Sequence, residues 1–343
     1  MSIFALSCFI IGVLAGFTGL FVLLKGMKEK LNKSWFLLNL SILVWIEGLG
    51  ATMVVADAIS ALFWQKVLYI GTIFIPVLFF HFCTILTEKE EQFRKLFKIN
   101  LFVALVFLFS LLTNNWFMRG IKPRTDFGYW PTEIGWLYYP FLFWFAVNVI
   151  YSFLILKKYL RKKGIDSVKQ RQVLIIFYGT AIGFIAGSLN FLLDFNIIFP
   201  PVHNFFVGSY LIFTALAITR YHLFGIRVIL TELLVGVMGI ILLFLPFVIE
   251  TTLPMRALMI GVFLLFCFFG YLLIRYTYRE IRQKEILEQK VKERTKELQT
   301  AYEEIKKRKE DLEKFYKLTV GRELRMIELK KKIKELEERV KGN

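Results

Sequence analysis

Histidine is nearly absent from this chain, with three in 343 residues: His81, His203 and His222. None follows residue 222, so the last third holds no phosphate-accepting imidazole and no His-dependent nucleophile. A Gly-rich, phosphate-cradling loop is missing there too. Cysteine is as scarce. Cys8, Cys83 and Cys267 each lie inside an apolar run, which excludes a disulfide framework and a thiolate metal site. No catalytic residue, metal ligand or cofactor is therefore expected. With no catalytic domain found before Asn343, the chain reads as a non-enzyme. Acids are also few, 27 against 44 bases, for a formal net charge of +17. That excess resembles a nucleic-acid signal until it is mapped along the chain.

What the sequence has in abundance is apolar surface: 57% hydrophobic residues, 17% aromatics and 37 Phe. Soluble domains hold about 45–50% apolar residues with Gly included, so a polytopic membrane protein is expected. Nine apolar runs are long enough, or nearly so, to cross a bilayer: 3–24, 36–56, 64–86, 99–113, 136–156, 173–194, 204–220, 228–250 and 257–275. The first lacks a basic flank and is too long for a signal-peptide core. The connections at 25–35, 87–98, 157–172 and 220–227 hold 17 bases, and the opposite ends hold 5. Bases collect on the cytoplasmic side. The expected location is therefore a multi-pass cell-membrane protein with its N-terminus outside and its C-terminal segment in the cytoplasm. This asymmetry accounts for the charge without nucleic acid.

Polar residues inside apolar spans are costly and are functional candidates. Glu47 lies at mid-depth in the second span and Asn148 at mid-depth in the fifth. Asn190 and Asp194 lie one turn apart near the outer end of the sixth. Glu47 is the most expensive and the first candidate for a ligand or proton contact; a structural Glu bonded to a neighbouring helix is the alternative. Asp194 could reach an outer-loop base such as Arg124. The two asparagines read mostly as interhelical bonds. His81 fits a hydrogen-bonded packing role, and His203 an exposed turn. The outer loop 114–135 carries Trp116, Phe117, Phe127, Tyr129 and Trp130. It reads as an interfacial aromatic belt or as a cap over a ligand pocket, which makes Trp130 a fifth binding candidate. Gly179, Gly183 and Gly187 form a small-residue face that suits close helix packing within the chain. Pro76 and Pro246 are expected to kink their spans.

After Tyr276 the composition turns to Lys, Arg, Glu and Leu, and one heptad frame holds to the end. Its apolar seam contains Val291, Leu298, Ile305, Leu312, Phe315, Met326, Leu329, Ile333 and Leu336, while Arg294, Arg308 and Arg322 interrupt the d positions. Such a repeat predicts a coiled coil, about 85 Å long at 1.5 Å per residue. The seam predicts self-association, with a parallel dimer favoured. Gly321 beside Thr319 and Arg322 marks an expected hinge, since Gly costs a helix about 1 kcal/mol.

Several stretches resemble a known family. They are Leu40-Ser41-Ile42-Leu43-Val44-Trp45, Phe63-Trp64 with Tyr69-Ile70-Gly71 up to Thr87-Glu88-Lys89, Gly128-Tyr129, and Ala217-Ile218-Thr219-Arg220-Tyr221-His222-Leu223-Phe224-Gly225-Ile226. Together they resemble the seven-transmembrane sensor region at the N-terminus of many prokaryotic histidine kinases. In the tail, Val291-Lys292-Glu293-Arg294-Thr295-Lys296-Glu297-Leu298 resembles a signalling helix, and residues 318–329 resemble linkers beside PAS and kinase modules. The resemblance implies an all-α, polytopic membrane bundle with a long cytoplasmic coiled coil. Three segments are expected: a sensor-like region over 1–227, an additional two-helix hairpin over 228–275, and the coiled coil over 276–343. The implied function is a membrane sensor in a two-component system. It would pass a helix rearrangement through a dimeric coil to a separate cytoplasmic output protein. A membrane-anchored scaffold with no ligand is the alternative. The expected partners are the lipid bilayer, a second copy and that output protein, with no nucleic acid.

Overall fold

The structure, a computed structural model, describes residues 2–162, 164, 166–221, 223, 232, 235–236, 238–239, 242–243 and 253–341. The backbone alone is described at 219–220, 253–258, 280–282, 284–285 and 335–341. The chain divides into two compact units, Met1–Tyr271 and Leu272–Asn343.

The first unit is a helix bundle interrupted by one hairpin. Its elements are α1 (Ile3–Lys25), α2 (Lys30–Val54), α3 (Ala58–Leu86), α4 (Glu90–Thr113), β1 (Met118–Ile121), β2 (Thr132–Ile134), α5 (Tyr138–Leu160), α6 (Ser167–Ser188), α7 (Asn190–Asp194), α8 (Asn204–Val207) and α9 (Ser209–Tyr221). The last helix, α10 (Leu253–Lys341), contributes its first residues to this unit and forms the second unit. Among the described residues, seven helices are long and apolar enough to cross a membrane, the last of them Met259–Arg279, and Asn204–Ile218 is a shorter apolar helix. The all-α polytopic class expected from the sequence is thus observed. The eighth expected span, 228–250, lies mostly outside the described residues, as do His222, Pro246 and the side chain of Leu336.

α1 and α3 start where a side chain satisfies a free N–H group. Ser2 accepts from the Ala5 N–H at 3.2 Å, and Asp57 from the Ser60 N–H at 2.8 Å. Those bonds hold the Asp57 carboxyl below its usual range. The end of α3 is a Schellman closure. The Glu88 N–H bonds Ile85 O at 3.0 Å and the Lys89 N–H bonds Thr84 O at 2.7 Å, with Glu88 in the left-handed region at φ 60°. That position normally takes Gly. Here the Glu carboxylate bonds Lys169 Nζ on α6 at 2.9 Å, which ties the two helix ends and draws the carboxyl below its usual range.

α3 is the central element. Its apolar window is 78% buried, against 28% for α4. Two glycines allow α2 and α3 to touch backbone to backbone. A Cβ at Gly71 would lie 2.4 Å from Trp45 N, and one at Gly48 2.7 Å from Leu68 N. Pro76 does not end α3, which runs on for ten residues beyond it. On α6, Gly179 lies against Phe213 and Gly187 against Trp45, so that small-residue face packs within the chain. α4 and α5 turn Phe102, Phe109 and Phe143 outward, each more than 60% exposed. Such surface suits acyl chains and not water.

The aromatic outer loop is an antiparallel hairpin, with Met118 opposite Ile134, Gly120 opposite Glu133 and Ile121 opposite Thr132. It packs onto the bundle with Phe117 and Tyr129 fully buried, while Trp116 stays 55% exposed. The α10 helix runs through Gly321 without interruption. The lost helix propensity of one Gly is small beside the hydrogen bonds of its neighbours.

Candidate functional site

The site is built around Asp194, the last residue of α7. Its side chain is 2% exposed. Oδ2 accepts hydrogen bonds from the hydroxyls of Tyr69 (α3) at 2.6 Å and Tyr138 (α5) at 2.7 Å. Oδ1 accepts from the backbone N–H of Thr132 on β2 at 2.8 Å. The two phenols also share a contact of 3.0 Å. Lys122 Nζ bonds the Asp194 backbone carbonyl and Asn196 Oδ1 at 2.9 Å. A buried carboxylate is costly unless bonded, and this one accepts three bonds from donors on three elements. It fastens the hairpin to α3, α5 and α7.

Beside this knot lies a cavity of about 70 Å³ within the bundle, walled by Leu68, Phe145, Phe184, Trp45 and Tyr210 among others. A water needs roughly 10–15 Å³ on this measure, so the space suits a small apolar group. Tyr129, Asn190 and Asp194 also line it. Burial, and secondarily the Asp194 charge, pushes the Tyr129 phenol well above its usual range, so it remains neutral. Tyr210 donates to Asn39 Oδ1 at 3.0 Å. Asn190 Nδ2 donates to Asn204 Oδ1 at 2.9 Å and to Gly187 O at 3.2 Å. Its Oδ1 is buried and has no partner among the described residues.

The structure brings two of the five sequence candidates, Asn190 and Asp194, to this cavity and places three elsewhere. Glu47 lies between α1 and α2, with its Oε1 only 2.2 Å from where a Gly12 Cβ would stand. That oxygen is also buried and unpartnered among the described residues. Asn148 bonds only along its own helix. Its side-chain amide donates to Trp144 O at 2.9 Å and its backbone carbonyl accepts from the Ser152 hydroxyl at 2.7 Å, so among the described residues it makes no interhelical bond. Trp130 anchors the hairpin. Its indole N–H donates to Val55 O at 3.2 Å, and its carbonyl accepts from Gln65. Arg124 does not reach Asp194. It donates instead to Gly128 O at 3.0 Å and Met53 O at 3.1 Å, within and beside its own loop. Tyr69, Tyr138 and Thr132 were not legible as site residues. A buried carboxylate demands donors, but nothing in the order of residues says which phenols supply them.

His203 is another correction. It is 8% exposed, packed 5.2 Å from the Phe199 ring, and not an exposed turn residue. Burial lowers its pKa to about 4 from 6.5. The native state therefore binds its proton less readily than the unfolded chain. The neutral ring's contribution is complete above about pH 6.5 and is lost progressively as pH falls toward 4. Thermal unfolding at pH 7.5 and pH 5 should show a loss of about 1–2 kcal/mol, largely removed by His203→Phe. An identical pH slope in the variant would rule out this origin.

The fold and the cavity define a polytopic α-helical membrane protein with an internal site. A family model described as the N-terminal 7TM region of histidine kinase matches residues 4–227. The chain belongs to this family, a membrane sensor region of signalling proteins, as the resemblance implied. No curated protein matches the chain, and no solved structure does. The seven helices of the family are not the seven long helices of the structure. The match includes the shorter Asn204–Ile218 and stops before Met259–Arg279.

Proposed function

We propose that this protein is a membrane sensor whose cavity holds a small, uncharged, largely apolar ligand bearing one hydrogen-bond donor. The observation that carries the reading is the apolar cavity with Asn190 Oδ1, an acceptor unfilled among the described residues, in its lining. The Asp194 carboxylate is already bonded to three donors of the protein itself. Asn190 Oδ1 can accept from a ligand hydroxyl or N–H, and the remaining wall is apolar. Binding there would join α2, α3, α5 and α6 on one side to α7 and α8 on the other. It can shift the bundle only as far as its affinity differs between two packings.

The output would run through α10. Val291, Leu298, Ile305, Leu312, Phe315, Met326, Leu329 and Ile333 are all more than 50% exposed in the single chain. A helix does not leave such a seam in water, so we read it as the face of a dimeric coiled coil. In this reading the base-rich end of the bundle faces the cytoplasm, the N-terminus lies outside, and a separate histidine-kinase system receives the signal. The segment 276–343 acts as the transmission rod and 228–275 as an added membrane hairpin.

The test fills the cavity and reads the coil. The full chain carrying Cys267→Ser and Leu298→Cys is placed in nanodiscs, and the rate of disulfide formation across the dimer is measured with and without Gly183→Leu. A sensor gives a change of several-fold, because a few kcal/mol of differential packing shifts the two-state balance by orders of magnitude. An unchanged rate in an intact dimer would favour the tethering scaffold, in which the cavity and the coil are uncoupled.

A further inference from the structure

A second concavity lies at the opposite end of the bundle from the hairpin. It is an open cleft of about 780 Å³ between the turn after α3, the last turn of α5 and the start of α6. Five cations line it, namely Lys89, Lys158, Arg161, Lys162 and Lys169, against two acids, Glu88 and Asp166. Both acids are occupied. Glu88 pairs with Lys169 at 2.9 Å, and Asp166 Oδ2 accepts the Lys169 backbone N–H at 3.4 Å. Lys162 adds to the positive field on Glu88. Among the described residues no ion pair within 4 Å is formed by Lys89, Lys158, Arg161 or Lys162. The cleft is therefore a concave surface with four uncommitted cations.

Its depth is set by the spans. Lys89 follows α3 by three residues, and Lys158 lies in the last turn of α5, so the cations sit where a bilayer's headgroups meet water. The face of α5 beneath them is apolar and uncovered. Ile150 is 59% exposed and Leu154 52% exposed. Ile150, Leu154 and Lys158 follow at four-residue spacing, which puts them on one face of the helix. Arg161 lies seven residues from Leu154 and continues the same stripe. A soluble anion would use the cations alone. A lipid would use both parts, with an acyl chain along Ile150 and Leu154 and a phosphate at Lys158 and Arg161.

We propose that this cleft binds the phosphate-bearing headgroup of an anionic membrane lipid. Arg161 can present two parallel N–H donors to phosphate oxygens, and Lys89, Lys158 and Lys162 supply point charges. Each base near an anionic surface adds to the attraction. The lipid would bridge the ends of α3, α5 and α6, the helices already joined by the Glu88–Lys169 pair. The proposal rests on the membrane fold and not on the sensor reading, so either can fail alone.

The experiment is native mass spectrometry of the full chain released from detergent, titrated with phosphatidylglycerol or phosphatidylcholine. It is run on the parent, on Lys158→Gln/Arg161→Gln, and on a control pair at the same end, Lys95→Gln/Lys98→Gln. All four residues are exposed, and equal melting temperatures show that the variants fold. The expected result is preferential retention of phosphatidylglycerol by the parent and the control. The cleft variant should lose roughly thirtyfold in affinity, since each of the two bases near an anionic surface contributes about 1 kcal/mol and about 1.4 kcal/mol is tenfold. Equal losses in both variant pairs would reduce the effect to general surface charge and overturn the proposal. So would equal retention of phosphatidylcholine. Complete displacement of the lipid by millimolar inorganic phosphate would assign the cleft to a free anion instead.

Discussion

Replacing Leu298 and Leu312 together by aspartate is expected to convert the full chain from a dimer to a monomer. Both residues occupy a positions of the heptad, and in the single chain they are 75% and 69% exposed. Burying one Leu side chain stabilises by about 1.5–3 kcal/mol. The four leucines of a dimer therefore account for roughly 6–12 kcal/mol, and the four carboxylates that replace them would repel in the seam. Association free energies are of this order, so no residual dimer is expected at micromolar concentration. The arginines at d cannot compensate. Arg294 pairs with Glu297 at 2.7 Å and Arg308 with Glu304 at 2.7 Å, both along one helix, and they remain 83% and 78% exposed. A control with Gln299→Asp and Lys306→Asp places the same two carboxylates at outward b positions and should leave the dimer intact. Light scattering or mass photometry in detergent reads the mass directly. A dimer that survives the seam substitutions must be held by another surface, and the coiled-coil reading of residues 276–343 would be abandoned.

Asp194→Ala is expected to destabilise the bundle by about 3–5 kcal/mol. Removing the carboxylate strands the Thr132 N–H and two buried phenols, and each unsatisfied buried donor costs about 1–3 kcal/mol. Part of this is recovered, because Tyr69 and Tyr138 already stand 3.0 Å apart and can bond each other. Thr132 Oγ1 also lies 3.3 Å from the Tyr69 hydroxyl. The Thr132 N–H has no such recourse, so the hairpin should loosen first. Trypsin cleavage at Arg124 in folded protein should rise, and thermal unfolding should move down with it. Asp194→Asn keeps one acceptor but turns an NH2 toward a donor, so it should fall between parent and Ala. Loss of less than about 1 kcal/mol in Asp194→Ala would mean that water or a rearranged hydroxyl replaces the carboxylate. The knot would then not hold the hairpin.

Legibility differed from element to element for physical reasons. The spans were readable because the bilayer imposes a length and a polarity on every crossing segment, and those constraints act on consecutive residues. The hairpin was not. Its strands are four and three residues long, too short to carry a period, and they are held by Asp194, which lies 62 residues from Thr132. Asn190 and Asp194 stood out as polar residues in an apolar run. Their partners did not, since a Tyr in such a run has the same local surroundings whether it bonds a carboxylate or the headgroup layer. Glu47 stood out for the same reason as Asp194, yet it lies against Gly12, where α1 and α2 cross.

By itself the amino-acid sequence determined that this is a multi-helix membrane protein of the histidine-kinase 7TM sensor family. It also located the apolar core of each long described span, though helices such as Lys30–Val54 and Glu90–Thr113 start six to nine residues before those cores, and it marked a long charged segment with an apolar heptad seam after them. Hydrophobic length and heptad period are local properties, and a chain displays them before it folds. Only the tertiary structure decided that the outer loop is a hairpin locked by a buried carboxylate. The fold alone decided that Asn190 opens onto a cavity while Glu47, Asn148 and Trp130 do not. It also gathered Lys89, Lys158 and Arg161 around one cleft. These are relations between residues far apart in the chain, and they exist only once close helix packing has brought the residues together.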